Sequence, residues 1–362
     1  MKRYSNLYDK ITFNDFIDVY KEIRSNTKNK NKIKRFEDFY SVNIVKAYNK
    51  FKSKKYKVGR YNIFLIREPK YRLIMSSNIT DKLINHVISR KILIPILDKS
   101  LIDTNVATRI GKGTHYGLKK LKKYLNEMNG EVYGLKFDIS KYFYNIDHGI
   151  LISLLKKKIK DKETLNILVK IINQADSDYV NKCIDIVKEK EIERLKKLNI
   201  KNKNKLIDEV KRIPYYKKGK GLCIGSMSSQ ILAIYYLNEL DHFIKEKLKV
   251  RYIRYMDDGL LLNNDKNYLK YCLKEVIKVL DKYKLKTNNK TKIVNVNKEG
   301  IEFLGFRFYI KNKVIMKVRN NTKKRFKKAI KLYKCGIINY EVINSYKSHL
   351  KWGNSYNLER RL

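Results

Sequence analysis

Cysteine is scarce in this chain and poorly spaced for chemistry. Cys183, Cys223, Cys272 and Cys335 form no C-x-x-C pair and have no histidine nearby at zinc-ligand spacing, so they read as reduced thiols and exclude a zinc ribbon. Long apolar runs are missing too. The longest, Ile231 to Leu237, falls far short of the ~20 residues that cross a bilayer. The basic start MKRYSNLYDK leads into no apolar stretch of signal-peptide length. A cytosolic protein with no membrane segment is therefore expected. Acid is the third scarcity: 36 Asp and Glu stand against 83 Lys and Arg, a net charge of +47.

Such a field fits a long polyanion. Each neutralised phosphate of a nucleic acid releases condensed counterions, and the gain accumulates along the strand. An anionic membrane surface is the weaker alternative. A gene poor in G and C would also enrich lysine and asparagine, but it would not by itself remove the acids. The 362 residues, 43% of them hydrophobic, suffice for two or three packed subdomains.

Apolar spacing predicts two opening helices between Thr12 and Phe51, divided by the linker Thr27 to Lys32. Tyr61 to Ile66 and Lys70 to Met75 alternate around Glu68-Pro69 as strand, turn and strand, with Lys70 and Arg72 on one face. A helix follows from near Thr80, which Pro95 bends or ends. Thr108 to Thr114, carrying Arg109, Gly111 and Gly113, reads as a loop, and Glu131 to Asp138 as a strand. Asp147 is placed to cap the helix after it. From about 161 to 221 the chain is charge-dense, a mostly helical insertion of unassigned role. Ser226 to Leu248 is a helix by period, and the strands flanking Met256-Asp257-Asp258-Gly259 give the tightest hairpin signal. Ile301 to Ile310 is expected as one strand, and the lysine-rich stretch from Lys323 to Lys334 as an amphipathic helix.

One carboxylate at a strand end and two at a hairpin tip, more than a hundred residues later, form a peculiar concentration of negative charge in a chain of +47. Phosphoryl transfer to a 3′-hydroxyl needs hard oxygen ligands converging on two cations about 3.5 to 4 Å apart. Asp138, Asp257 and Asp258 could supply them. Taken singly, Asp-Asp-Gly is by default an exposed turn and Asp138 a strand-end cap.

In order and together, LKFDISKYFYNIDH (135 to 148) and RYMDDGLLL (254 to 262) resemble the two catalytic blocks of the bacterial reverse transcriptase family. RLIMSSNITDKLINHVI (72 to 88), RIGKGTHYGLKKL (109 to 121), GKGLCIGSMSSQILAIYYLNELD (219 to 241), LKTNNKTKIV (285 to 294) and EFLGF (302 to 306) follow in the family's order. The resemblance implies an α+β right-hand polymerase: N-terminal helices and fingers over 1–130, a palm over 131–312 that contains the 161–221 insertion, and a short helical thumb over 313–362. It implies RNA-directed DNA synthesis with two Mg2+, for which Mn2+ can substitute. Asp138, Asp257, Asp258 and the Ile139 carbonyl would hold the metals.

On the same ground Lys70 and Arg72 would clamp the triphosphate, and Phe143 would exclude a 2′-hydroxyl, favouring deoxynucleotides. Gly225 and Gln230 would line the nucleotide site, though Ser229 and Gln230 also suit a helix cap. Lys290 or Lys292 would protonate the leaving pyrophosphate, and the sequence does not choose between them. Arg109, Leu304 and Gly305 would meet template and primer. A surface lysine or an ordinary amphipathic helix is the bland alternative for Lys70, Lys290, Lys292 and 323–334. Implied partners are template RNA, the cDNA primer or product, and deoxynucleoside triphosphates.

Cys223-Ile224-Gly225 stands where intron and retron enzymes carry Pro-Gln-Gly. With Ser229-Gln230 it resembles the enzymes of diversity-generating retroelements, a subgroup that implies a small basic accessory protein. About fifty residues after EFLGF leave room for a short thumb, so a full maturase or RNase H domain is not expected. A defence polymerase, a non-catalytic RNA-binding or maturase-like protein, and an RNA-dependent RNA polymerase are the competing readings.

Overall fold

The computed structural model describes residues 3–27, 30–67, 69–200 and 202–354. Among these residues nine strands form three antiparallel sheets: β1 (Asn62–Arg67), β2 (Tyr71–Ser76), β3 (Tyr133–Asp138), β4 (Arg251–Tyr255), β5 (Asp258–Asn263), β6 (Lys292–Asn295), β7 (Ile301–Phe303), β8 (Phe306–Ile310) and β9 (Val314–Val318). Helices make up most of the rest, so the class is α+β as expected. The chain divides into two compact units. One comprises Met1–Leu101, Ser140–Glu239 and Leu280–Leu285; the other comprises Ile102–Ile139, Leu240–Val279 and Lys286–Leu362.

In the first unit the opening helix Phe13–Asn26 begins at a complete capping box, with Thr12 and Asp15 satisfying each other's backbone donors. Its buried face (Phe16, Val19, Tyr20, Ile23) repeats at helical spacing. β1 and β2 form a two-stranded hairpin in the register Ile63↔Met75 and Leu65↔Leu73. Of the turn predicted at Glu68-Pro69, Glu68 lies outside the described residues. Lys70 falls just before β2 rather than within it. The helix starts at Ile79 with Asn78 as its cap, and Pro95 does not end it. A π turn over Ile88–Leu93 precedes Pro95, and helical backbone continues through Ile94–Leu97. Proline cannot donate to the carbonyl four residues back, and a wider turn ahead of it relieves that conflict. The 161–221 stretch is helical over Lys162–Asn173, Asp178–Lys197 and Lys203–Lys211.

In the second unit the sheet order is β4-β5-β3-β6. Thr104 and Val106 bond the open side of β4 through Arg254: its N–H donates to Thr104 and its carbonyl accepts from Val106, both at 3.0 Å. The helix Thr114–Asn126 contributes Leu118, Leu121 and Leu125 to the unit's core, alongside Phe303, Phe306 and Phe308. Where one strand was expected over 301–310, the backbone turns back at Leu304-Gly305, with φ of 46° and 89°. EFLGF is therefore a hairpin tip, a turn that Gly305 makes accessible. The helix predicted over Ser226 to Leu248 is interrupted at Leu237 (φ −98°, ψ 15°), beside the point where the chain leaves one unit for the other.

Candidate active site

β4 and β5 are joined through two residues, Met256 and Asp257. Met256 has a φ of 56°, the left-handed sign that tight hairpins require at their first turn residue. A non-glycine residue there costs roughly 1 kcal/mol, so something must hold the turn. The fully buried Arg254 does so: its Nη1 donates to the Met256 carbonyl at 2.7 Å. Its Nε and Nη2 grip Asp241, equally buried, at 2.7 Å each. Tyr252 Oη donates to Asp241 at 3.0 Å and Asn105 Nδ2 at 3.2 Å. Removing two charges from water is tolerable only with such complete pairing.

Register carries the rest. Asp138, the last residue of β3, lies directly opposite Asp258, the first of β5. Behind them Gly259 faces Phe137; a Cβ on Gly259 would come within 2.2 Å of the Phe137 ring. The glycine after the two aspartates is thus required by an aromatic on the neighbouring strand.

The Asp257 carboxyl is pushed up to about 7, first by burial and then by the nearby Asp138 carboxylate. Asp258 is also raised by burial, with Lys136 opposing the shift. Lys136 Nζ sits 2.9 Å from Asp258 Oδ2, while Asp258 Oδ1 is buried without a partner. Asn288 Nδ2 donates to Asp138 Oδ2 at 2.5 Å, and Asn288 N–H donates to the Asp138 carbonyl at 2.8 Å. Thus Asp138 and Asp257 meet while Asp258, beside them, is held by Lys136. Among the described residues no three His, Cys, Asp or Glu side chains form a ready cation cluster.

Ile139 follows directly and pairs with Thr287 as an isolated bridge. Lys292 lies opposite Lys136 in the β3–β6 register, on the sheet face of Asp138. Lys290 precedes β6 and is exposed. Arg109 Nη1 donates to the carbonyls of Ile102 and Asn105, at 2.7 and 2.9 Å, closing its own loop. Leu304 and Gly305 form the β7–β8 turn, and a Cβ on Gly305 would meet the His349 ring at 3.2 Å.

The remaining candidates lie in the first unit. Arg72 on β2 and Lys70 just ahead of it are exposed. Phe143 is half-buried in the short helix Tyr142–Asn145, and its carbonyl accepts from Leu222 N–H at 2.8 Å. Gly225 has a φ of 122°, and a Cβ there would lie 3.0 Å from the Met75 carbonyl. Met75 N–H donates to the Ile224 carbonyl at 2.8 Å; the close approach that demands glycine is to β2. Gln230 is half-buried in the helix Met227–Tyr236.

Sequence reasoning passed over Lys136, Asn288 and the Arg254–Asp241 pair. An arginine in the interior of β4, on the same strand face as Tyr252, was the available signal for Arg254. Asn288 lies within LKTNNKTKIV and is polar in a lysine-rich stretch, so nothing local distinguishes it.

A family model described as reverse transcriptase (RNA-dependent DNA polymerase) matches residues 52–308. Among curated proteins the chain is 27% identical over 197 residues to the group II intron-encoded protein LtrA of Lactococcus lactis subsp. cremoris, covering 54% of this chain and 26% of that protein. It is 22% identical over 196 residues to the mitochondrial nuclear intron maturase 1 of Arabidopsis thaliana, covering 48% and 27%. The chain thus spans about a quarter of the length of these relatives. Among solved structures, apo telomerase from Candida tropicalis truncated from its C-terminal domain superposes with a TM-score of 0.47 at 16% identity, covering 72% of this chain and 55% of that one.

Proposed function

The chain belongs to the reverse transcriptase (RNA-dependent DNA polymerase) family, and from that membership we propose that it is an RNA-directed DNA polymerase extending a DNA primer along template RNA. The observation that carries this reading is the strand-to-hairpin register that sets Asp138 against Asp258, with Asp257 at the tip. The family depends on divalent metal, and the donor set suits it. Burial and the neighbouring Asp138 carboxylate disfavour ionisation of Asp257, and Asp258 offers an unpaired buried oxygen; a hard cation would satisfy both. Asp138, Asp257, Asp258 and the Ile139 carbonyl would hold two Mg2+, with Mn2+ as a substitute. Bound there, the metals would activate the primer 3′-hydroxyl and neutralise the triphosphate.

The chain's own groups do the rest. Lys70 and Arg72 bind the triphosphate as charge-assisted donors, and Phe143 selects deoxynucleotides. Lys292, on the carboxylate face of the sheet, suits proton donation to pyrophosphate better than Lys290 does. Leu304 and Gly305 hold the primer end, and Arg109 shapes the loop that meets the template. The Ile224-Gly225 and Ser229-Gln230 form supports a diversity-generating retroelement with a small basic accessory protein; a defence polymerase, which shares the same core, is the alternative.

Extension of a primer annealed to RNA, with deoxynucleotides and Mg2+, tests the proposal. Wild type should make cDNA, and Asp257→Asn should lose at least about 1,000-fold in rate, as expected when a metal ligand is removed. An unaffected Asp257→Asn overturns it. The names of the relatives, a group II intron-encoded protein and an intron maturase, favour a second reading, a non-catalytic RNA-binding or maturase-like role. That role predicts that Asp257→Asn leaves cellular function intact.

A further inference from the structure

An isolated two-stranded hairpin is marginally stable at best in water and needs a third layer. β1–β2 has one, and it comes from the charge-dense 161–221 segment. Ile63, Leu73 and Met75 on one hairpin face share a core with Val180, Ile184, Leu195 and Val210. The other face is covered at Ile74, which lies against Gly225, and open toward the tip: Phe64 and Ile66 are 37% and 38% exposed, and Arg72, opposite Ile66 in the register, is exposed beside them.

The helix Asp178–Lys197 is fastened to both ends of the hairpin. At the base, Tyr61 N–H donates to Tyr179 Oη at 3.1 Å. Near the tip, Tyr71 Oη donates to Glu191 Oε1 at 2.6 Å. Arg194 fixes Glu191 in turn, through Nε at 2.8 Å and Nη2 at 2.6 Å. The Arg67 guanidinium lies 5.9 Å from the Tyr71 ring centroid. The lengths agree: twelve helical residues from 179 to 191 advance ~18 Å, and six strand residues from 61 to 67 advance ~20 Å. The far end of the segment is tied back by Asn181, which exchanges hydrogen bonds with the Tyr216 backbone at 2.9 and 3.0 Å.

We propose that the 161–221 segment is a brace that holds the β1–β2 hairpin in the geometry needed to bind a deoxynucleoside triphosphate, with Glu191 and Tyr71 as its positioning residues. The brace acts on the covered face so that Arg72 is presented on the open one, with Lys70 just ahead of the strand. It rests on the reading of Lys70 and Arg72 as triphosphate ligands. Tyr71 packs on the covered face and bonds Glu191 there, so the role assigned to both is positioning rather than contact with the nucleotide.

Two measurements on the full-length chain test it. Amide hydrogen exchange without nucleic acid should show faster exchange over 62–76 in Glu191→Gln and in Tyr71→Phe, with 133–138 and 251–263 unchanged. In primer extension, either variant should raise the KM for deoxynucleotide by about 3- to 10-fold, as expected for a half-exposed hydrogen bond to a charged group, with kcat within about twofold. Both substitutions leave the apolar core intact, so the variants should fold. Unchanged exchange over 62–76 overturns the brace, and so does a loss confined to kcat. Arg72→Ala judges the underlying reading separately: an unaltered KM there removes the triphosphate role while the exchange result still decides whether the segment braces the hairpin.

Discussion

Asp257 is where the chemistry of the site is most sensitive to its surroundings. Its ordinary value is 3.8, and burial beside Asp138 raises it to about 7 in the folded chain. Between those values the unfolded chain releases a proton that the folded chain keeps. The contribution of Asp257 to stability therefore falls as pH rises from about 4 to about 7 and then levels off, with a slope of at most about 1.4 kcal/mol per pH unit. Asp257→Asn removes the titrating group. In EDTA, urea midpoints for wild type and Asp257→Asn should coincide near pH 4 and separate toward pH 8, where the variant is the more stable. Parallel curves would show that the two carboxylates do not repel.

The elements were legible wherever the pattern was local. Alternation placed β1, β2, β4 and β5, and Asp147 caps its helix through a bond from Ile150 N–H at 3.1 Å. What escaped was either a local change of backbone path that leaves the apolar pattern intact or a contact with neighbours distant in sequence. Apolar period cannot show that Leu304-Gly305 reverses the chain, since both sides of that turn are strand. It cannot show that a π turn carries the helix past Pro95. The 161–221 segment has no role legible in the sequence because apolar positions within it serve a hairpin some hundred residues earlier. Likewise the catalytic aspartates were readable as a motif, while Asn288 and Lys136 acquire meaning only through the β3 register. That register makes Gly259 informative: with Phe137 2.2 Å from a new Cβ, Gly259→Ala must displace β5 from β3. It should cost about 1–3 kcal/mol, the usual range for overpacking, and reduce primer extension more than an equal loss of stability elsewhere. Full activity with a lowered thermal midpoint would separate the glycine from the site.

At the scale of the whole molecule, the +47 charge predicts how the chain finds its substrate. No described helix is long and apolar enough to cross a membrane, and the lysines are spread over many elements rather than gathered in one motif. Binding to an RNA–DNA duplex should weaken steeply with salt, the logarithmic slope reaching about −5 or beyond if six or more phosphates are neutralised. A slope near −1 in a salt titration by fluorescence anisotropy would mean that the charge is not aimed at nucleic acid. The central claim, however, concerns the carboxylates. Mn2+ uptake by the nucleic-acid-free chain, followed by loss of the free-ion paramagnetic resonance signal, tests it most directly. Wild type should bind the ion and Asp257→Asn should bind it more weakly by at least about 10-fold, whereas equal uptake by the two would contradict a cation site at the meeting of β3 with the β4–β5 hairpin.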